Sequence, residues 1–330
     1  MISTKATALA NSNTALIKYW GKQDEELIIP MNNSISLTVD SLSTTTTVEF
    51  SDEFTQDLFI LNNEKQTGTA ENRVIRHLDL LRSKAKMNLK AKVMSQNNFP
   101  TAAGLASSAS GFAALTVASC KALELELDQK QLSMLSRRGS GSSARSIFGG
   151  FVEWIKADEI GESYAKQLAD KNHFDIRDIV VIFKPQKREF STREAMKISK
   201  ETSPMFKARL DVVETSLDKM RKAIEQREFN LLGQTAESDC NLVHSIALTS
   251  TPKLSFWIDE TIRIINLVKD LRQGGIDAFY TVDTGSNMHI LTLPQYAEEI
   301  DMILRKIPYI EKTVVCKPGD GAKIIDNHLF

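Results

Sequence analysis

Apolar and polar side chains alternate at period two through Ile35-Ser-Leu-Thr-Val39 and again through Thr45-Thr-Thr-Val-Glu-Phe50. The pattern predicts two half-buried strands, with Asp40 to Thr44 as a hairpin connection. Between Asn72 and Lys86 the apolar positions Val74, Ile75, Leu78 and Leu81 recur at helical spacing. Leu89 to Asn98 alternates like a strand, and Gly111 to Cys120 reads as a buried helix. A further helix is expected over about Asp128 to Arg138. The stretch from Asp158 to Asp178 turns polar and charged, which places a boundary between an N-terminal lobe, 1–178, and a C-terminal lobe, 179–330. The second lobe opens with a strand at Ile179-Val-Val-Ile-Phe183. Amphipathic helices follow at about Met205 to Gln226, Leu231 to Leu248 and Trp257 to Gln273. It closes with strands at Ala278 to Val282 and Met288 to Thr292, a helix from about Gln295 to Ile307, and strand material at Tyr309 to Cys316 and Ala322 to Ile325. Strands returning on helices in this order predict an α+β fold of two open lobes with a ligand cleft between them.

Composition narrows the function classes. The 330 residues are 42% hydrophobic and 25% charged, values of an ordinary soluble globular protein, with a net charge of −1. Nothing in that balance points to nucleic acid or a membrane surface as partner. A polyanionic small substrate is compatible with it, because a local basic pocket need not change the total. No stretch approaches 18 consecutive apolar residues, and Met1 to Thr7 shows no apolar leader core. The three cysteines, Cys120, Cys240 and Cys316, are far apart and form no pair motif, which predicts reduced thiols in a cytoplasmic protein. The five histidines show no metal-ligand spacing, so no protein-held metal site is expected and each histidine is read as a surface or packing residue.

The candidate chemistry concentrates in five segments. Pro100-Thr-Ala-Ala-Gly-Leu-Ala-Ser-Ser-Ala-Ser110 runs from the predicted strand into the buried helix. A small-residue loop at a helix N-terminus either offers unpaired N–H groups and the positive end of the macrodipole to a phosphate or lets two helices pack closely. Gly104 permits close approach, and Ser107 and Ser108 add hydroxyl donors. The segment is neither a Walker A loop nor a dinucleotide fingerprint. In Asn11-Ser-Asn-Thr-Ala-Leu-Ile-Lys-Tyr-Trp-Gly-Lys22, Lys18 and Lys22 bracket Tyr19 at a strand end, three donors for phosphate oxygens or else two solvated lysines. Arg137-Arg-Gly-Ser-Gly-Ser-Ser-Ala-Arg-Ser-Ile-Phe-Gly-Gly150 mixes glycine, serine and arginine into an anion nest with Arg145 at its edge; a flexible linker shares the Gly/Ser content but rarely ends in Ile-Phe and a glycine pair. Arg193, in Ser191-Thr-Arg-Glu-Ala-Met196, is either a phosphate clamp or an exposed helix-start arginine. Asp283, in Val282-Asp-Thr-Gly-Ser-Asn287, is a cleft-facing base or the acid of an Asx-turn.

In this order and over nearly the whole chain, these segments resemble the ATP-dependent mevalonate diphosphate decarboxylases, a branch of the GHMP superfamily of small-molecule kinases. The resemblance rests on Ala15-Leu-Ile-Lys-Tyr-Trp-Gly-Lys22, Met31-Asn-Asn-Ser-Ile-Ser36, Pro100 to Ser110, Arg138-Gly-Ser-Gly-Ser and Arg145-Ser-Ile-Phe-Gly-Gly150. It implies the two-lobe GHMP-kinase-like α+β architecture with the active site in the cleft, ATP with Mg2+, and a homodimer. It also implies a reaction in which ATP phosphorylates a tertiary hydroxyl of a phosphorylated mevalonate, after which phosphate and carbon dioxide leave. By resemblance, Asp283, Arg145 and Lys18 are catalytic, and Asn13, Tyr19, Lys22, Ser140, Gly141, Ser142, Arg145, Thr192 and Arg193 hold the substrate. ATP falls to Arg73, Ser95, Asn97, Gly104, Leu105, Ala106, Ser107 and Ser108.

Two departures from the family pattern matter. The chain reads Asp283-Thr-Gly-Ser-Asn287 where the family usually has Asp-Ala-Gly-Pro-Asn, and Thr192 stands where a serine is usual. Both bear on the distal phosphates, so phosphomevalonate decarboxylase stays open as the alternative substrate reading. Further off stand an ordinary GHMP kinase and a catalytically inactive ATP-binding regulator.

Overall fold

The computed structural model describes residues 3–99, 107–157, 162–184 and 189–330. Gly104, Leu105 and Ala106, three of the expected nucleotide contacts, lie outside them.

The first lobe is built on an eight-stranded sheet whose centre is the strand Ser34–Ser51. Ser3–Ile17 pairs antiparallel on one side of it, and Lys90–Asn97 and Phe151–Trp154 pair on the other. The expected hairpin at Asp40 to Thr44 is absent: one strand runs through. A two-residue hairpin turn requires positive φ, and no glycine or asparagine stands between Asp40 and Thr44 to supply it. The excess residues are instead absorbed in a register break opposite Asn11 to Asn13, where Ser43 and Thr38 face the two ends of the break. Helices Thr69–Ala85, Ser107–Ala122 and Gln129–Gly139 carry the apolar residues that cover this sheet. Ala109, Ala113, Ala114 and Ala118 are fully buried, so the second of these helices sits close against the strands because its side chains are small.

The second lobe has a four-stranded antiparallel sheet ordered Ala278–Val282, Met288–Thr292, Arg177–Phe183 and Ile310–Cys316. Along Arg177–Phe183 the side chains sort by parity. Ile179, Val181 and Phe183 join a core with Ile264, Val268, Ile300 and Leu304 of the outer helices. Val180 and Ile182 join one with Val213, Leu217 and Met220 of helix Met205–Gln226 and with Leu16, Ile35 and Leu37 of the first lobe. That shared core fuses the lobes and fixes the walls of the cleft. The last strand, Lys323–Ile325, returns to the first sheet and pairs with Ser3–Ile17. Just before it the chain folds against the segment that carries Arg145: Gly319 O accepts the Gly150 N–H at 2.9 Å, and Ser146 O accepts the Ala322 N–H at 3.1 Å. Among the described residues no helix is long and apolar enough to cross a membrane.

Candidate active site

The cleft between the lobes encloses about 770 Å³. It gathers expected site residues from six separate stretches of the chain. Asn13, Lys18, Tyr19 and Lys22 come from the end of the first strand; Arg73, Ser107, Ser108, Ser140, Gly141, Ser142 and Arg145 come from the first-lobe helices and their connections. Thr192, Arg193 and Asp283 reach in from the second lobe. Ser95 and Asn97 are not brought to its wall. Ser95 Oγ pairs with Thr46 Oγ1 at 2.8 Å, and Asn97 Oδ1 accepts from Thr44 Oγ1 at 2.7 Å, so both side chains bridge neighbouring strands.

At the centre, Lys18 Nζ stands 2.6 Å from Asp283 Oδ1. Burial alone would raise the Asp283 pKa, but the Lys18 ammonium, with the charges of His289 and Arg145 behind it, holds the carboxyl below its ordinary value. Lys18 responds reciprocally: burial pulls its pKa down, and Asp283, with Cys240 and Asp239 behind it, more than restores it. Both groups are therefore ionised at neutral pH. Arg145 is buried, and burial lowers its pKa to about 10 against the pull of Asp283. Its Nε and one terminal nitrogen donate to Asn13 Oδ1 at 3.2 and 3.1 Å, and the other terminal nitrogen donates to Ser34 Oγ at 2.7 Å. A guanidinium has five N–H donors, so these contacts orient it and leave two N–H for a ligand. Asn13 is itself fixed, donating to Ser146 Oγ at 2.8 Å and Ser142 O at 3.2 Å.

Toward one end, Arg73 and Arg193 both donate to Gly139 O, at 3.2 and 3.0 Å. Burial, then the neighbouring Arg193 charge, brings Arg73 down to about 10. Two guanidinium groups held on one carbonyl repel, and an anion between them would relieve that cost. The Arg73 Nε is buried without a partner, and so is the Tyr19 hydroxyl, whose phenol burial pushes up and keeps protonated. Ser140 Oγ donates to Ser108 Oγ at 3.1 Å, joining the anion nest to the N-terminal turn of helix Ser107–Ala122. Lys22 is partnered by Glu25. Arg193 stands in the first turn of helix Thr192–Thr202, whose capping box pairs Ser191 with Glu194. The Thr192 hydroxyl meets that of Thr284 at 2.6 Å, so one residue from each of the two segments that depart from the family pattern is bonded to the other on the second-lobe side of the cleft.

Sequence reasoning missed several residues of this wall. Thr69, Asn72 and Arg76 line it and, with the expected Arg73, form a polar stripe at i, i+3, i+4 and i+7 opposite the buried Val74, Leu78 and Leu81; that spacing was available as a signal. His244 also lines the cleft, contrary to its reading as a bystander: burial lowers its pKa to about 4, so it is neutral. No local pattern marks it.

As to magnesium, no group of three or more His, Cys, Asp or Glu able to hold a metal is present among the described residues. The hydroxyls of Ser107, Ser108 and Ser140 are hard oxygen donors beside the proposed phosphate cradle. That donor set fits Mg2+ retained mainly by nucleotide phosphates and water.

Comparison with known proteins gives a consistent result. Residues 10–165 match the model of the diphosphomevalonate decarboxylase-like N-terminal domain, and residues 178–323 that of the mevalonate 5-diphosphate decarboxylase C-terminal domain. The diphosphomevalonate decarboxylase of Homo sapiens is 38% identical over 314 residues, spanning 89% of this chain and 78% of the human one. Mevalonate diphosphate decarboxylase from Staphylococcus aureus superposes with a TM-score of 0.94 at 38% identity, covering 98% of this chain and 99% of that one. A solved complex described as MDDEF with MVAPP, AMPPCP and magnesium gives 0.93 at 38% identity, covering 99% and 100%.

Proposed function

The chain belongs to the diphosphomevalonate decarboxylase family, and from that premise we propose how the cleft divides the work of the reaction. The reaction is the ATP-dependent decarboxylation of mevalonate 5-diphosphate to isopentenyl diphosphate, with release of ADP, phosphate and CO2, a step of the mevalonate pathway. The observation that carries the assignment is the Lys18–Asp283 ion pair lying beside the partly satisfied guanidinium of Arg145.

Ser107, Ser108 and the helix N-terminus they open receive the nucleotide phosphates, with Ser140 and Arg73 at the edge. When bound, Mg2+ neutralises charge developing on those phosphates. Asp283, kept ionised by Lys18, accepts the hydrogen bond of the substrate's tertiary hydroxyl and aims its oxygen at the phosphoryl group. Phosphoryl transfer through a loose transition state asks more for positioning than for early deprotonation, which suits a carboxylate of low basicity. Lys18 holds that carboxylate and adds positive charge where phosphate later departs. Arg145, with Ser140, Gly141 and Ser142 around it, grips the carboxylate end of the substrate. Tyr19, Lys22, Thr192 and Arg193 face the distal phosphates, and the unpartnered Tyr19 hydroxyl is the donor most in need of such an acceptor.

Mixing the protein with mevalonate diphosphate and ATP should release ADP and CO2 in equal amounts. ADP formation without CO2 would reduce the activity to that of a kinase. For the distal grip, one charge-assisted contact of about 1.5–3 kcal/mol predicts at least about a tenfold preference in kcat/KM for the diphosphate over mevalonate monophosphate. Arg193→Ala should erode that preference by slowing the diphosphate reaction more than the monophosphate one. An unmutated protein with equal or reversed preference would shift the reading to phosphomevalonate decarboxylation. The same reading includes a homodimer, supported by the family resemblance and checked by sedimentation. It also includes a cytoplasmic setting without nucleic-acid partners, supported by three buried free cysteines and the near-zero net charge.

A further inference from the structure

Lys18 and Asp283 come from different lobes, yet the main chain at Lys18 and at Val282, the neighbour of Asp283, is held by one helix, Phe229–Leu248. Asp239 Oδ2 accepts the Lys18 amide N–H at 2.7 Å. Arg209, ion-paired with Asp239 at 2.9 Å, donates to the Lys18 carbonyl at 2.7 Å. Asn32 Nδ2 adds a second donor to that carbonyl at 3.1 Å. The strand Ser3–Ile17 has ended one residue earlier, so side chains take over both backbone groups of Lys18 where the ladder stops.

The same helix serves Asp283 from the other side. Strand Ala278–Val282 is the edge of its sheet, and an edge strand leaves alternate N–H and C=O groups unpaired. Glu237 Oε2 accepts the Tyr280 N–H at 3.3 Å, and Cys240 Sγ accepts the Val282 N–H at 3.2 Å. His244 Nε2 lies 3.0 Å from the Val282 carbonyl. A carbonyl only accepts, so that nitrogen carries the hydrogen. The residue after Val282 is Asp283. Positions 240 and 244 lie one turn apart on one face, with Asp239 beside them.

We propose that Asp239, Cys240 and His244 are positioning residues for the decarboxylation, setting the separation of Lys18 and Asp283 by fixing the main chain at Lys18 and Val282. Arg209 supports the same task through Asp239. The inference rests on Lys18 and Asp283 belonging to the reaction centre, as argued above. It adds that the ion-pair geometry is imposed from behind by a helix that need not touch the reacting atoms.

The decisive variants are at His244, whose ring also packs on Trp257 at 4.9 Å and Phe256 at 5.9 Å. His244→Phe keeps an aromatic ring and removes the N–H; His244→Gln keeps a donor. Because misplacement of a reacting group by about 1 Å costs on the order of a hundredfold, a partial release of Val282 should lower kcat by about tenfold in His244→Phe. KM for ATP and for mevalonate diphosphate should stay within about threefold, and His244→Gln should recover kcat to within about threefold of the native chain. In an Asp283→Asn background, His244→Phe should cost less than about twofold more, since the placement it disturbs no longer matters. Native kcat in His244→Phe would overturn the proposal. So would an equal loss in both backgrounds, which marks general weakening, or a change confined to KM, which marks a substrate contact. Should His244→Phe fail to fold by circular dichroism, Cys240→Ala, which removes the thiol that accepts the Val282 N–H and donates to the Val282 carbonyl at 3.7 Å, is read in the same cycle with the same expectations of kcat and coupling. Asp283→Asn alone, measured in that cycle, separates the two levels: if it retains turnover the underlying reading fails, and if it does not while His244→Phe is silent only the positioning proposal fails.

Discussion

Asp283→Asn should bind both substrates within a few-fold of the native chain and lose turnover by about two or more orders of magnitude. The amide preserves shape and one acceptor oxygen but removes the charge that orients and activates the tertiary hydroxyl. It also strands Lys18, which is almost fully buried and owes its raised pKa to Asp283; an uncompensated buried ammonium tends to lose its proton. Catalysis would then lack both halves of the pair. The native pH profile carries a second test of the same geometry. Asp283 works ionised, so its contribution is present above its pKa and lost as pH falls through it. Lys18 holds that pKa below the ordinary carboxylate value, so the acid limb from Asp283 should lie at lower pH than that of an ordinary aspartate. Single-turnover measurements of ADP formation across pH would show it. A mutant retaining most of its turnover would remove Asp283 from the mechanism. A dominant acid limb near neutrality that disappears in the mutant would remove the Lys18 pairing.

Much of this cleft was legible because its parts are local words. The Ser107-Ser108 helix start, the Gly139 to Ser142 nest and the Lys18-Tyr19 pair each combine residues whose chemistry depends on near neighbours in the chain. Elements with a single strong period were equally readable: helix Met205–Gln226 and strands Ala278–Val282 and Met288–Thr292 have the bounds their patterns predict. The hairpin expected at Asp40 to Thr44 failed for a physical reason. Polar residues there mark exposure at a register break, and exposure alone cannot distinguish a break in pairing from a turn. Ser95 and Asn97 illustrate another limit: their side chains point to neighbouring strands, a choice set by pairing partners some fifty positions away, Thr46 and Thr44. The scaffolding behind the site was the least legible. Arg209, Asp239 and His244 sit on helices whose amphipathic pattern accounts for their apolar neighbours and says nothing of what a buried charge is for. Their meaning appears only when Lys18 and Val282 arrive from elsewhere to meet them.

Arg145→Lys should lower kcat/KM for mevalonate diphosphate by about two orders of magnitude although it conserves charge. The native guanidinium bonds Asn13 and Ser34 while leaving two N–H for the substrate carboxylate. Lysine offers three donors from one atom and cannot span that separation. If it reaches the carboxylate it leaves Asn13 Oδ1 and Ser34 Oγ without their donor, and each buried polar atom left unsatisfied costs about 1–3 kcal/mol. If it bonds those two side chains, the charge-assisted contact to substrate, about 1.5–3 kcal/mol, is lost. Either outcome amounts to about 3 kcal/mol, or roughly a hundredfold. The burden should fall on the step that releases CO2, since the guanidinium is assigned to the carboxylate, and ADP formation in a single turnover should fall less than CO2 release. A lysine variant that performs nearly as well would mean that positive potential suffices and that the Asn13–Ser34 frame around Arg145 serves the fold alone. Equal slowing of ADP and CO2 would move Arg145 from the carboxylate to the phosphoryl-transfer step.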